Sequence, residues 1–334
     1  MKTVLLHVPG RSDLRKQLLR QTPHGSGEWN GYQFHLNESP QPCDYTVVFA
    51  GQKNTIEFPT KKRNTLFIAG EPPAIKKYNK AYLAQFGSVI SSDPDCEHPN
   101  LHLTQQGHPW FCGRKFLAPG ETIAVKSFDD YIQEEEIQKT KLISVVCSDK
   151  QSTPGHRKRY EFVQKLKEAF SGELDVYGTG QNMIEDKADA IRPYQYHMAI
   201  ENSASPHYWT EKLSDCYLEG AFPFYAGCPN IDTYFTKDSY CMINLEDLEG
   251  TIKKIRKAID EKRYLNAFAA LKHAKLEVLN EYNLFNVITT HFNSARGTNP
   301  TEAEQTKIFP QKYFRKGTIS RFFYRNCSRL RASK

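Results

Sequence analysis

The sequence lacks the features that mark secreted, membrane-spanning and zinc-binding proteins. None of its 8 cysteines forms a C-x-x-C pair, and several follow apolar runs that resemble strands. This pattern indicates free thiols in a reducing compartment and argues against a zinc site. No apolar run approaches the roughly 20 residues that a membrane-spanning helix needs. The N-terminal apolar segment is short and is interrupted by Pro9, so we expect no signal peptide.

What is present is typical of a soluble globular protein with two domains. The chain has 334 residues, of which 39% are hydrophobic and 25% are charged. Its formal net charge of +7 suits anionic partners such as nucleotides, membrane surfaces or nucleic acid. The charge alone does not separate these classes of partner.

Strands alternate with helical patterns in two regions, which predicts two α/β domains. In residues 1–120, strands are predicted at 3–8, 45–50, 65–69 and 89–90, with helical patterns at 14–19 and 74–86. Residues 121–140 contain an acidic run and are predicted to be a linker. In residues 141–300, strands are predicted at 142–147, 174–180, 198–200, 222–225 and 240–245, with helices near 159–170, 211–219, 248–259 and 265–279. Residues 301–334 form a basic, aromatic tail.

The stretch 196–227 organises the second domain. It predicts a buried strand at 198–200, a polar loop at 201–207, a helix from about Glu211 that ends at Gly220, and a further strand closed by Gly227. In open α/β sheets, ligands bind at the carboxyl ends of the strands, which is where this polar loop lies.

The polar residues of this loop suit a nucleotide-sugar. Glu211 can accept hydrogen bonds from ribose hydroxyls, and Lys212 can neutralise a diphosphate. Asn202 and Tyr208 offer neutral donors, and the helix N-terminus adds backbone N–H groups. Each residue taken singly is explained as well by an N-terminal capping cluster with a solvated Glu–Lys pair. The set as a whole carries more weight because its order and spacing match a known signature.

That signature is E-N-S at 201–203, Tyr208, T-E-K at 210–212, and F-P-F-Y-A-G at 222–227. It resembles the α-1,3-fucosyltransferases, glycosyltransferase family ten, and departs from them at Trp209, where a smaller β-branched residue is usual. The resemblance implies a GT-B-like fold, with two Rossmann-like domains facing across a cleft and a basic C-terminal helical tail. It implies inverting, metal-independent transfer of fucose from GDP-fucose to a hydroxyl of an oligosaccharide or glycolipid acceptor.

The resemblance also implies roles for two residues outside the central stretch. Glu71 lies in G-E-P-P at the end of a predicted strand, where position alone suggests a surface glutamate before a turn. In the family, a glutamate at the matching point, often followed by Ser-Pro, is the proposed general base. Arg159 lies in a basic segment at a helix start, where positive charge opposes the helix dipole and calls for an anion. The family's matching arginine contacts the nucleotide phosphates, so Arg159 joins Asn202, Tyr208, Glu211 and Lys212 as an expected donor-binding residue.

Two weaker patterns predict turns. Asp93-Pro94-Asp95 is a formal D-x-D, which in other glycosyltransferases holds a metal on the diphosphate. Its surroundings favour a turn, and we expect no metal and no cofactor. Gly178 and Gly180 form a G-x-G without the third glycine of a dinucleotide fingerprint, which favours a tight turn.

The tail 307–334 interleaves basic residues with aromatic ones and has no acidic residue. It predicts either contact with an anionic membrane surface or packing on the first domain, and membrane contact is our expectation. Together with the family resemblance, this predicts a bacterial-type cytoplasmic enzyme at the inner face of the membrane. The acceptor pocket is expected from loops 21–40 and 94–114. Two alternatives stay open, namely another GDP-sugar donor and a basic nucleic-acid-binding protein. The second has no recognised nucleic-acid motif to support it, so we expect no nucleic-acid partner.

Overall fold

The computed structural model describes residues 1–10, 17–38, 42–118, 121–149, 151, 153–294 and 306–314. These residues form two compact units. Unit 1 takes its described residues from Met1–Arg15, Glu28–Gln106 and His291–Lys334, and unit 2 takes them from Lys16–Gly27 and Gly107–Thr290. Each unit is built on its own sheet.

The strands, in chain order, are β1 (Lys2–His7), β2 (Glu28–Trp29), β3 (Tyr32–Leu36), β4 (Tyr45–Phe49), β5 (Ile56–Phe58), β6 (Thr65–Ile68), β7 (Ser88–Ser91), β8 (Leu101–Leu103), β9 (Arg114–Ala118), β10 (Glu121–Ala124), β11 (Lys141–Val146), β12 (Leu174–Tyr177), β13 (Tyr194–Ile200), β14 (Phe222–Ala226), β15 (Cys241–Met242) and β16 (Thr306–Ile308). The α-helices are α1 (Lys80–Leu83), α2 (Phe128–Gln133), α3 (Pro154–Ala169), α4 (Glu211–Leu218), α5 (Leu248–Asp260), α6 (Arg263–Asn266), α7 (Phe268–Asn280) and α8 (Leu284–Ser294). Most predicted strands agree with these within one or two residues. The predicted strand 198–200 is only the end of β13, and the predicted strand 240–245 shortens to β15.

Unit 1 contains a seven-stranded sheet of order β2-β3-β1-β4-β6-β7-β8. Its strands pair in parallel except at the β2–β3 edge, where the pairing is antiparallel. Strands β4, β6 and β7 are buried along their whole length, as expected for central strands of a parallel sheet covered on both faces. The predicted helix 74–86 reduces to α1, preceded by a turn in which the Pro72 carbonyl accepts from two backbone N–H groups.

Unit 2 contains a five-stranded parallel sheet of order β12-β11-β13-β14-β15. In chain order this is a 2-1-3-4-5 arrangement, the second common order of doubly wound folds. Strand β12 lies on one side of β11, and β13 and the later strands lie on the other side. The topological switch point is therefore between β11 and β13. A large apolar core covers the sheet, and it includes side chains of α3, α4, α5 and α7.

The division into units differs from the predicted boundaries because of long-range packing. Residues 17–27 and 107–118 belong to unit 2, where the buried Arg20 guanidinium donates to the carbonyls of Trp110 at 2.9 Å and Cys112 at 2.7 Å. Residues 121–140, predicted as a linker, contain β10 and α2, and α2 begins with a capping box between Ser127 and Asp130.

The described start of the tail packs on unit 1. Strand β16 pairs antiparallel with β5, and the Phe309 N–H donates to Gln85 Oε1 at 2.8 Å. The Phe314 ring lies edge-on to Tyr82 at 6.5 Å. For residues 306–314 this is the packing alternative of the sequence analysis, whereas residues 315–334, on which the membrane prediction mainly rests, lie outside the described residues.

Candidate functional site

The polar loop after β13 lies at the switch point of the unit 2 sheet. The loop runs from Glu201 to Thr210, and helix α4 begins at the next residue. Thr210 caps that helix, because its side chain accepts from the Lys212 backbone N–H. The predicted strand, loop and helix, and the helix end near Gly220 with a φ of 66°, are confirmed.

The Glu201 carboxylate holds the loop together from inside. It accepts from the Thr210 backbone N–H at 2.8 Å and from the Thr210 hydroxyl at 2.9 Å, and it lies 3.3 Å from Lys212 Nζ. Its side chain is fully buried. A Cβ on Gly227 would overlap the Glu201 side chain, which explains the glycine that closes the motif. The first residue of the E-N-S signature therefore has a structural role.

Asn202 and Arg159 meet across the switch point. Arg159 Nη1 donates to Asn202 Oδ1 at 2.7 Å, and the arginine side chain is buried. A Cβ on Gly155 would overlap the Asn202 carbonyl oxygen, so glycine at the start of α3 permits this close approach. Two of the predicted donor-binding residues, 43 positions apart in the chain, are thus in direct contact.

Helix α3 begins earlier than the sequence analysis predicts. Thr153 caps it by accepting from the His156 N–H at 3.2 Å, and Pro154 occupies the first turn. The Thr153-Pro154 pair is the sequence signal that marks this helix start. The other basic side chains of this turn have partners, because Arg157 donates to the Gln151 carbonyl at 3.0 Å and Lys158 pairs with Glu246.

A pocket of about 260 Å³ lies beside the loop after β13, at the carboxyl ends of β13 and β14 and beyond β15. Glycines, which expose the backbone, and polar side chains line this pocket. They include Gly155, Lys158, Glu201, Asn202, Ser203 and Gly227. The N-terminal turn of α3 borders it, and the first turn of a helix offers N–H groups and positive potential to an anion. The pocket suits a phosphate-bearing ligand.

Glu211 and Lys212 form an ion pair in the first turn of α4, with Oε1 and Nζ 3.1 Å apart. Burial opposes the charge on Glu211, but the Lys212 and Lys187 ammonium groups outweigh it and lower the carboxyl pKa. Burial also opposes the charge on Lys212, and the Glu201 and Glu211 carboxylates raise its pKa. Both side chains are therefore ionised, and Lys212 is shared between two carboxylates rather than unpaired.

The sequence did not predict the residues that hold the first turn of α4 in place. Lys187 Nζ donates to the Glu211 carbonyl at 3.1 Å and to Asp215 Oδ2 at 2.9 Å. The Asp215 side chain is fully buried, and Asp215 Oδ1 accepts from the Phe111 N–H at 3.1 Å. No local pattern marks these residues, since they come from three separate segments of the chain.

Tyr208 lies against a histidine that the sequence did not indicate. The Tyr208 ring is buried and stands edge-on to His108, with centroids 5.8 Å apart. Burial lowers the pKa of His108 to about 4, so the imidazole is neutral at physiological pH. The two rings form an uncharged surface close to Glu211.

Trp209, the departure from the family pattern, packs into an aromatic cluster. Its ring lies 5.8, 5.1 and 5.3 Å from the rings of Tyr234, Phe235 and Tyr282. The indole is buried and fills space under the loop. Its role in this chain is packing.

Glu71 lies in unit 1, three residues beyond Ile68, the last residue of β6. Its side chain is exposed. Burial lowers the pKa of the neighbouring Lys76, and the Glu71 charge offsets that shift only in part. Lys76 Nζ donates to the Ala50 carbonyl at 2.8 Å. The predicted position at the carboxyl end of a parallel strand is confirmed.

The weaker patterns form turns as predicted. Asp93 Oδ1 accepts from the Asp95 N–H at 3.1 Å, and Gly178 and Gly180 have φ values of 121° and 76°. Within the described residues, no three His, Cys, Asp or Glu side chains are grouped so as to hold a metal. The seven cysteines of the described part are all free thiols. In that part of the chain, no helix is long and apolar enough to cross a membrane.

Comparison with solved structures shows the fold. An alpha1,3-fucosyltransferase with GDP-fucose superposes over 88% of this chain and 89% of that chain, with a TM-score of 0.50 and 15% identity. The same class of enzyme with GDP gives a TM-score of 0.50 and 16% identity over 85% and 92% of the two chains. Together with the parallel sheet in each unit, this likeness shows a GT-B glycosyltransferase fold.

Comparison of sequences indicates the family. Residues 137–292 match the model "Glycosyltransferase family 10 (fucosyltransferase) C-term", so over this range the chain is similar to glycosyltransferase family 10. The alpha-(1,3)-fucosyltransferase FucT of Helicobacter pylori is 29% identical over 114 residues, which is 34% of this chain and 22% of the relative. Alpha-(1,3)-fucosyltransferase B of Drosophila melanogaster is 26% identical over 106 residues, which is 31% and 24%. The matched segments thus span less than a quarter of either relative.

Proposed function

We propose that the chain is a glycosyltransferase that moves fucose from GDP-fucose to a hydroxyl of a glycan or glycolipid acceptor. The observation that carries this proposal is the contact between Arg159 and Asn202 at the switch point of the unit 2 sheet. It brings together two residues of a family signature beside a helix N-terminus and a pocket of suitable size.

The donor is proposed to bind to five residues of unit 2. Arg159 and the first turn of α3 attract the diphosphate, and Asn202 orients the arginine through its side-chain oxygen. Glu211 accepts from the ribose hydroxyls, and Tyr208 offers its hydroxyl and ring. Lys212 keeps Glu211 ionised and adds positive potential, although Glu201 already shares its charge.

The reaction is proposed to be a single displacement with inversion and without a metal ion. The acceptor hydroxyl oxygen attacks the anomeric carbon of fucose while the bond to the diphosphate oxygen breaks, and GDP leaves with the electron pair. Glu71 takes the hydroxyl proton as general base. Arg159, Lys212 and the helix N-terminus stabilise the negative charge that develops on the leaving diphosphate.

The test is a transfer assay in which GDP-fucose is incubated with the protein and a panel of glycans. We expect a deoxyhexose mass increase on at least one glycan, unchanged turnover in EDTA, and an α linkage by proton NMR from the β-linked donor. Transfer from a different GDP-sugar, and not from GDP-fucose, would show that the donor is another GDP-sugar. Salt-sensitive binding of DNA or RNA, with no heat stabilisation by GDP, would favour the nucleic-acid alternative.

We also infer a cytoplasmic location, with the tail 307–334 in contact with an anionic membrane surface. The basic and aromatic composition of the tail supports this. Vesicles with and without anionic lipid, sedimented with the whole chain and with a chain shortened after residue 314, would test the contact.

A further inference from the structure

Arg114, on β9 of unit 2, is a cation without a direct ion-pair partner among the described residues. Its guanidinium carbon lies 4.4 Å from the centroid of the Phe111 ring, which is a cation–π contact. Among the described residues, its guanidinium has no hydrogen bond and no carboxylate within ion-pair distance. Arg114 Nε is shielded from solvent and has no acceptor. A shielded donor without a partner is costly and calls for a ligand.

Other arginines that lie over rings in unit 2 have acceptors. Arg256 lies 4.1 Å from the Phe170 ring and pairs with Glu173. Arg263 lies 6.0 Å from the Phe222 ring and pairs with Asp238 at 2.8 Å. Arg20 lies over Trp110 and donates to backbone carbonyls. Arg114 differs from them in having its ring contact alone.

The place of Arg114 in the fold is next to the first turns of α4. The Phe111 N–H donates to Asp215, which lies one helical turn after Glu211. Lys187 joins Asp215 to the Glu211 carbonyl. Phe111 is 43% exposed, so its ring faces solvent beside the proposed donor residues, and Arg114 next to it is half-buried. Burial and the nearby Arg20 charge lower the pKa of the Arg114 guanidinium, and the Asp215 and Glu211 carboxylates offset this only in part.

We propose that Arg114, held over Phe111, binds a carboxylate or phosphate group on the saccharide acceptor. This inference rests on the proposed function and deepens it by naming the substrate class, an acidic saccharide. A guanidinium offers parallel N–H donors that match carboxylate and phosphate oxygens, and the exposed Phe111 ring offers an apolar surface to a sugar ring. The donor diphosphate is assigned to Arg159 and the first turn of α3, and Arg114 does not line the pocket that this turn borders.

The test measures binding rather than turnover, so that it stays informative if no transfer is found. The whole chain, loaded with GDP, is applied to a printed array of neutral glycans and of their uronate-, sialate- and phosphate-bearing counterparts. Arg114→Gln is compared with the parent, and Arg256→Gln is the matched control, because it removes a ring-stacked arginine on another face. GDP affinity is measured by calorimetry for all three proteins.

We expect the parent to prefer acidic glycans over their neutral counterparts by about tenfold or more. Arg114→Gln should lose that preference and keep its GDP affinity, and Arg256→Gln should keep both. Preference among the carboxylate- and phosphate-bearing glycans identifies the group. An equal preference in Arg114→Gln, no preference or no acidic-glycan binding in the parent, or a weakened GDP affinity in Arg114→Gln would each overturn the proposal. The proposed function fails separately, through absence of transfer from GDP-fucose.

Discussion

Arg159 Nη1 lies 2.7 Å from Asn202 Oδ1 and donates a hydrogen bond to it. This bond ties the second turn of α3 to the loop after β13, and so it joins the two sides of the switch point in the unit 2 sheet. The remaining guanidinium nitrogens of Arg159 include a shielded Nε without a partner. The geometry positions a cation where an anionic ligand of an open α/β sheet is expected.

The first prediction concerns this pair. Arg159→Lys and Asn202→Ala should each weaken GDP binding by about tenfold, because each loses a charge-assisted contact or its orientation. The double variant should lose less than the sum of the two, with a coupling energy of about 0.5–3 kcal/mol. Calorimetric titration with GDP measures all four proteins. Additive losses would mean that the two residues act independently, and unchanged affinities would mean that the donor binds elsewhere.

The second prediction concerns stability. Glu201→Ala should lower the free energy of unfolding by about 3–5 kcal/mol, because it removes the buried acceptor of the Thr210 N–H and one of the two carboxylates that share Lys212. Urea unfolding followed by circular dichroism gives this value. Glu249→Gln, which alters an exposed carboxylate in the first turn of α5, is the control and should change stability by less than about 0.5 kcal/mol. If Glu201→Ala lowered the free energy of unfolding no more than Glu249→Gln does, the structural role of Glu201 would be contradicted.

The third prediction concerns pH. Burial lowers the pKa of Lys139 to about 7 from 10.5, although its Nζ donates to the carbonyls of Arg192 and Glu219 at 2.8 and 2.5 Å. Between these two pKa values the unfolded chain binds the proton and the folded chain does not, so stability rises with pH in that window. Below pH 7 both states are protonated and the burial penalty is complete.

Lys139→Met removes this titration. From pH 7 to pH 9 the parent should therefore gain about 2 kcal/mol in free energy of unfolding relative to Lys139→Met. Urea unfolding of both proteins at the two pH values measures the difference. A difference that does not change with pH would show that Lys139 keeps its ordinary pKa in the folded chain.

The sequence predicted the parts of the site that are local in the chain. The strand, loop and helix around Glu201 and Glu211 follow from an apolar run, a polar loop and a C-terminal glycine, and each of these acts over a few residues. The start of α3 was placed too late, because the basic residues near Arg159 drew more weight than the Thr153-Pro154 cap.

The parts that the sequence did not predict depend on distant contacts. Arg20 is buried in unit 2 because carbonyls about 90 residues away accept from it, and no local pattern reveals such partners. The same holds for Lys187, which comes from a separate segment and contacts the Glu211 carbonyl and the Asp215 carboxylate of α4. The role of Arg114 likewise depends on Phe111 and on the lack of a hydrogen-bond acceptor for its guanidinium in the part of the chain that the structure describes, which only three-dimensional structure displays.

The fourth prediction concerns the general base. Glu71→Gln should reduce transfer by about 10²–10⁴-fold and leave GDP affinity unchanged, because the carboxylate is proposed to contact the acceptor and not the nucleotide. Initial rates at saturating GDP-fucose, with calorimetric GDP affinity, test it. Glu97→Gln is the control, since Glu97 is exposed and pairs with Lys80 at 2.6 Å. Near-parental turnover by Glu71→Gln, or loss of activity in Glu97→Gln alone, would move the base to another residue.

The most direct test of the account compares donors under one set of conditions. The parent protein is given GDP-fucose, GDP-mannose, GDP-glucose and UDP-galactose in turn, with the same glycan panel and with EDTA present, and kcat/KM is measured for each donor. The account predicts transfer from GDP-fucose with the highest kcat/KM and no dependence on added Mn²⁺. Preference for another donor, or transfer that needs a metal, would contradict it.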